Sequence, residues 1–431
     1  MIKIDYREQN LNWLEEAELA CSGGVIRKKI DIESITNDNV AKCKFLFLKA
    51  SEHFICFITV DSLYIGASLT AAINEISKKY CISSFIAATH THYMPNLTKE
   101  YAHFGKVDSV YLSNFLITID DTFRSFVNKP RFETVYNLNI TQGYYNDVYY
   151  RRKLLKRPFF DIRRLYNSQI DSWQRKFKLK FQGLVMAPNK SVNIGSPSIV
   201  IKLVTKDRSV AFFSNATHPT NMLTLDSSRD VYSILESEYF KTGNDFIGVQ
   251  GFSSDLKLDQ PFSHKLNLPG FLRKLLFGPS FKRPNNIHLK RNIVNFLEQG
   301  KAKNIVLDSN IDIEQSEVNS WLGTYYPDGS KIYYKFHFIK CGPIVFLLSN
   351  CEVSQYYYQD FSKLMKGNIN IFPIACWAEC VGYLPHITQI GSGGYEDDKF
   401  VDYFGFTGKI ELKLVEDFLV KLNERFIKLV D

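Results

Sequence analysis

The chain has 431 residues, 45% of them hydrophobic and 23% charged. These are globular proportions, and they exclude a disordered protein. Lys and Arg (53) outnumber Asp and Glu (45), so the formal charge is +8, a mild excess that favours anionic partners without naming one.

The first residues, MIKIDYREQNLNWLEEAELA, are polar and acidic and do not read as a signal peptide. No run of about 18 apolar residues occurs, so no membrane-spanning helix is expected. A cytoplasmic protein follows, peripheral at most to the inner face of a membrane. The 8 cysteines are irregularly spaced and form no CxxC pair, which favours reduced thiols over disulfides or a zinc knuckle.

Residues 44–49 and 54–60 read as buried strands, followed by a helix over 68–80 and a third apolar run over 83–88. Residues 107–128 have helical spacing. Strands are expected at 198–204 and 209–214, a helix at 231–240, and strands at 246–249, 344–348 and 369–375. The stretch 409–430 predicts an amphipathic helix. Strands alternating with helices argue one large α/β domain over 1–431, with a mixed, mostly parallel central sheet flanked by helices. No internal repeat is legible.

Two segments stand apart. Residues 151–180 hold eleven Lys/Arg and two acids, and 262–291 hold seven Lys/Arg and no acid, with large apolar side chains between them. They read as basic insertions, at about 151–190 and 262–291. Either they are solvated loops, or they form a basic, partly apolar lip that meets phosphate groups or a membrane face. No nucleic-acid recognition module is visible, and no nucleic-acid partner is expected.

Chemistry-bearing residues cluster just after apolar runs, where open α/β sheets place their sites. Thr89-His90-Thr91-His92 follows 83–88. In an extended segment both histidines point the same way, and neutral imidazole is a common zinc ligand. Asn215-Ala216-Thr217-His218-Pro219-Thr220 follows 209–214, and Glu352 follows 344–348. Two glycine-rich pieces, Gly382-Tyr383-Leu384-Pro385 and Gly393-Gly394-Tyr395-Glu396, match no phosphate-loop pattern. Taken alone, His90 and His218 read better as satisfied core histidines, and Glu352 as a helix cap or a surface charge.

The ordered set ATHTH, NATHPT, VQGFSSDLKLD (249–259), the Glu after a strand, then GYLP with GGYE resembles the catalytic domain of neutral (alkaline) ceramidases and their bacterial relatives. The resemblance runs from about residue 46 to 404. It implies one zinc held by His90, His218, Glu352 and Tyr383. It implies proton transfer by His92, a hydrogen bond from Tyr395 to the substrate carbonyl, and an Arg in the site, Arg151 or the adjacent Arg152. It places the family's site serine on Ser254. Asp61 and Asp255 read as second-layer partners or as caps.

Departures from the family pattern matter too. Tyr93 and Met94 replace small residues after the HTH, which should reshape the mouth. Phe252 and Asp255-Leu256 flank Ser254 where the family has other residues. The resemblance implies hydrolysis of a linear amide with water activated on zinc. With the departures and the charge, it points to removal of an N-acyl group, acetyl first, from an amino sugar, nucleotide- or lipid-linked, in surface polysaccharide biosynthesis. Hydrolysis of an N-acyl sphingolipid is the alternative. A non-catalytic polyanion- or membrane-binding protein is the third.

Overall fold

The apolar run after residue 40 folds back at Ser51 and Glu52 into antiparallel strands Ala41–Ala50 and His53–Val60. Their side chains are buried almost throughout, because the sheet is covered on both faces. In the computed structural model, the residues described are 1–11, 40–105, 107–167, 172–220, 228–241, 243–259, 268–279, 281, 286–307, 311–365 and 367–431. The expected strands and helices appear, with ends shifted by at most three residues. Cys21 lies outside the described residues, and the other seven cysteines are free thiols.

The architecture is α/β, but strand pairing is mostly antiparallel rather than mostly parallel. Apolar runs buried on both faces look alike in either arrangement, so the sequence pattern does not separate them. Three five-stranded sheets share one plan. In each, three antiparallel strands lead into a helix, and the chain returns beside the third strand as a parallel fourth. The first sheet runs Ile2–Leu11, Ala41–Ala50, His53–Val60 and, after helix Ala67–Lys79, Ser83–Ala88. The second runs Asn137–Gly143, Ser198–Val204, Ser209–Asn215 and, after helix Val231–Phe240, Asn244–Gln250. The third runs Ile313–Tyr325, Lys331–Cys341, Ile344–Ser349 and, after helix Gln355–Leu364, Asn370–Ile374. A crossover helix is what a parallel return requires. Sequence reading missed this threefold recurrence, because strands of equal role share no motif and differ in length.

The sheets meet on one aromatic cluster. Phe57, Phe212 and Phe346 sit at the same place in the third strand of each sheet, with ring centroids 4.8–6.0 Å apart. Aromatic pairs at this spacing add about 0.5–1.5 kcal/mol each beyond burial. The cluster fixes the three parallel strand pairs against one another, so their carboxyl ends open on a common region. Helix Ser109–Asn128 starts where the Asp108 carboxylate accepts from the Val110 and Tyr111 amides. The last helix, Leu412–Val430, buries Phe418, Leu422 and Phe426, as its spacing predicts.

The basic stretch 151–180 is mostly strand. Val148–Leu155 pairs with Gly183–Asn189 and Leu256–Leu258. Phe159–Asn167 and Ser172–Lys180 form a separate hairpin. Within 262–291, helices Leu268–Phe277 and Asn286–Gln299 frame segments that are partly outside the described residues.

Candidate metal and amide-hydrolysis site

Each sheet delivers polar side chains past its strand ends. His90 and His92 follow Ser83–Ala88, His218 follows Ser209–Asn215, and Glu352 follows Ile344–Ser349. His218 and Glu352 each lie six positions beyond the shared phenylalanine of their sheets, Phe212 and Phe346. All four are buried. Glu352 Oε2 lies 3.4 Å from His90 Nε2 and 3.5 Å from His218 Nδ1. Tetrahedral ligands on bonds of about 2.0–2.2 Å are separated by roughly 3.4 Å, so this spacing suits one ion between them. His90 Nε2 and Glu352 Oε2 are both buried without a hydrogen bond. Two such atoms facing each other are costly unless a cation lies between them.

His92 joins the same cluster. Ligand atoms of His90, His92 and His218 all lie within 4.8 Å of one another, so the three could share an ion. The two histidines of the HTH converge for a different reason than period-two alternation. His90 has φ +61, so the strand has already ended, and the chain turns to bring the rings to 5.0 Å. A left-handed non-glycine costs about 1–3 kcal/mol and persists only where the surroundings hold it. Here Thr89 donates to Asp61, which also accepts from buried Arg229, and Thr91 donates to the Ser228 carbonyl. Asp61 thus supports the turn through Thr89 and Arg229.

Tautomer and charge follow from the neighbours. The Leu63 carbonyl lies 3.1 Å from His90 Nδ1 and can only accept, so Nδ1 carries the proton and Nε2 presents its lone pair. Burial, then Arg151 and the other two histidines, hold His218 well below its usual pKa, in the neutral form that ligates metal. Tyr64 donates to Glu352 Oε1 at 2.7 Å, fixing the carboxylate so that Oε2 faces the histidines. Sequence reading missed Tyr64, whose partner is 288 positions away.

Tyr383 pairs in parallel register with Glu352, so both arrive on the same short ladder. Gly382 makes this possible, because φ is +88 and a Cβ would meet the Phe400 ring at 2.8 Å. Burial, then the Glu352 carboxylate, raise Tyr383 well above its ordinary pKa. Tyr395, 5.2 Å from it ring to ring, is raised by burial, then Tyr403 and Glu352. Tyr395 is therefore a protonated donor in this arrangement.

Arg151 is fully buried, and its Nε donates to Glu396 Oε1 at 2.5 Å. Arg152 Nη1 donates to Glu396 Oε2 at 3.0 Å, and its Nη2 donates to the Gly393 carbonyl. Burial alone would raise Glu396, but the two guanidiniums outweigh it and hold the carboxyl below its usual range. The arginine expected in the site is thus Arg151, with Arg152 behind it. Glu396 is the partner that sequence reading quoted in GGYE without a role. Arg151 Nη2 has no hydrogen bond.

A cavity of about 380 Å³ opens above this floor, lined by His92, His218, Arg151, Tyr383 and Tyr395. Its outer wall carries Arg164, Lys257 and Lys399, and no carboxylate among the described residues. Ile162, Met186 and Leu63 supply apolar wall. Ser254 is buried below the cavity rather than lining it. Its amide bonds the Val353 carbonyl, and its hydroxyl has no hydrogen bond. Asp255 bonds Ser354, the Gln355 amide and Gln389, so it is a brace between loops. Tyr93 and Met94 are fully buried and do not line the mouth, contrary to expectation.

No protein-family model matches the chain, and no curated protein matches it. Solved structures do. One titled as a ceramidase complexed with C2 is 11% identical, with a TM-score of 0.63, covering 98% of this chain and 75% of that one. Neutral ceramidase from Pseudomonas aeruginosa is 12% identical, with a TM-score of 0.59 and the same coverage. At this identity the likeness is one of fold.

Proposed function

We propose that the chain is a metal-dependent hydrolase that cuts the amide of an N-acyl amine. The observation that carries this is the convergence of His90 Nε2, His218 Nδ1 and Glu352 Oε2 at 3.4–3.5 Å beneath a cavity. These atoms, with Tyr383 beside them, would hold the ion, and the nitrogen–oxygen donor set suits zinc. Zinc in such a set lowers the pKa of bound water and polarises a carbonyl.

The chain's own groups do the rest. Tyr395, kept protonated, donates to the carbonyl oxygen as negative charge develops on it. His92 lines the cavity beside His218 and carries a proton to the leaving nitrogen. Arg151, locked by Glu396, keeps positive charge in the wall and directs an unused N–H there. Water and amide become carboxylate and the protonated amine.

The substrate reading we favour is an amino sugar bearing an N-acyl group, acetyl first, and carried on a nucleotide or lipid phosphate, as in surface polysaccharide biosynthesis. Arg164, Lys257 and Lys399 on the outer wall support an anionic carrier. An N-acyl sphingolipid is the second reading, favoured by the apolar wall of Leu63, Ile162 and Met186. Release of free amine from N-acetylated sugar phosphates against N-acyl sphingosines, with zinc supplied, tests both. Activity confined to long acyl chains would overturn the sugar reading. No activity on any amide, with the metal bound, would overturn the hydrolase.

A further inference from the structure

The hairpin Phe159–Asn167/Ser172–Lys180 and helix Leu268–Phe277 invert the usual order of a protein surface. On one face of the hairpin, the register pairs Phe160 with Leu179, Ile162 with Phe177, and Arg164 with Arg175. Phe160, Phe177 and Leu179 are 38%, 57% and 49% exposed. The helix packs its Phe277 ring against Phe160 and Phe177, with centroids at 6.3 Å. Its residues Phe271, Leu272, Leu275 and Leu276 fall on one stripe by helical spacing, and all four are 42–54% exposed. The apolar stripe of this helix therefore faces outward. Single exposed apolar residues need no explanation, but a contiguous set on two packed elements marks an interaction surface.

Charge identifies the partner. The exposed basic residues on and beside this face are Lys156, Arg175, Arg273 and Lys274, with Lys176 and Lys178 on the hairpin's other face. Among the described residues, Asp161 pairs with Lys180 and Lys399, and Asp398 and Asp402 with Arg163. Among the described residues, no helix is long and apolar enough to cross a bilayer. Outward apolar side chains edged by exposed cations suit the interface plane of an anionic membrane, where the side chains enter the acyl boundary and Lys/Arg meet the headgroups. The same face is continuous with the cavity, since Ile162 and Arg164 of the hairpin line it.

We infer that this hairpin and helix dock the protein on an anionic lipid bilayer, with the cavity mouth at the headgroup level. The inference goes beyond the hydrolase reading and does not need turnover. Flotation of the full chain with phosphatidylcholine vesicles, with and without phosphatidylglycerol, tests it. Wild type is expected to float with the anionic vesicles and to dissociate as salt rises. The double variant L272S/L275S should lower the partition coefficient about tenfold or more, and R273E/K274E should lower it most at low salt. Both variants should melt at the wild-type temperature, which separates lost docking from lost folding. Equal partitioning of wild type and both variants would overturn the inference. So would a wild type that ignores vesicles but forms a dimer that L272S/L275S dissolves, which would assign the face to a second copy of the chain. Because the assay reads no amide cleavage, docking and hydrolysis fail or stand separately.

Discussion

The floor of the cavity and its lip are built on opposite terms. At the floor, three sheets converge, the side chains are buried, and the supporting groups are bonded: Tyr64 to Glu352, Leu63 to His90, Arg151 to Glu396. At the lip, a two-stranded hairpin and one helix leave Phe and Leu in solvent. The floor's polar groups have no water to fall back on, so each is held by a protein partner or must meet a ligand. The lip can change freely, because its apolar groups stabilise little of the folded chain. The floor's geometry is therefore evidence about chemistry, and the lip's composition is evidence about contacts.

Substitutions sharpen that contrast. The largest effect is expected from His218→Ala or Glu352→Ala, which should bring amide cleavage to background while the fold, read by circular dichroism, persists. Glu396→Gln should come next. It leaves Arg151 and Arg152 buried against a neutral partner, a change that costs about 3–5 kcal/mol in comparable buried pairs, seen as a lowered Tm. Tyr395→Phe should lower kcat about 10²-fold with little change in KM, the usual loss for one donor to a developing oxyanion; an unchanged kcat would remove Tyr395 from the chemistry. Tyr64→Phe should weaken metal affinity about 10–100-fold, as loss of a ligand's supporting hydrogen bond does, measured by chelator competition. Phe177→Ser on the lip should shift stability by no more than about 0.5 kcal/mol.

The acid branch of stability follows from Glu396. Its folded-state pKa is depressed, through burial opposed and exceeded by Arg151 and Arg152. The stabilisation is thus present above the unfolded value of about 4.3. It is lost as pH falls through the lower folded value. Denaturation midpoints for wild type and Glu396→Gln should converge in that acid range. A gap that stayed constant down to the lowest pH would remove Glu396 as the titrating group.

Much of the floor was legible from local sequence, because each piece obeys one rule: a buried strand ends and a polar residue follows. That rule singled out His90, His218 and Glu352, but only the ordered motifs of the family resemblance read them as ligands; the structure brings them together. What local reading missed is long-range. Tyr64 and Glu396 act through partners 288 and 245 positions away; Tyr64 lies outside every motif, and GGYE does not announce Arg151 as the partner of Glu396. The parallel character of the sheets was overestimated, since only the last pair in each five-stranded sheet is parallel. That pair is also the one that carries the site, so the strand-end rule worked even though the sheet was misjudged. Tyr93 and Met94 looked like a changed mouth because they sit beside His92, yet the turn at His90 sends them inward. The basic stretches read as loops or lip because Lys and Phe alternate. Only the hairpin register shows which face each occupies.

Zinc titration of the metal-stripped chain against a chromophoric chelator tests the central claim most directly. The account predicts one tightly bound equivalent for wild type and none for His90→Ala or Glu352→Ala, with both variants folded. A wild type that takes up no zinc, or variants that bind it as tightly as wild type, would contradict it.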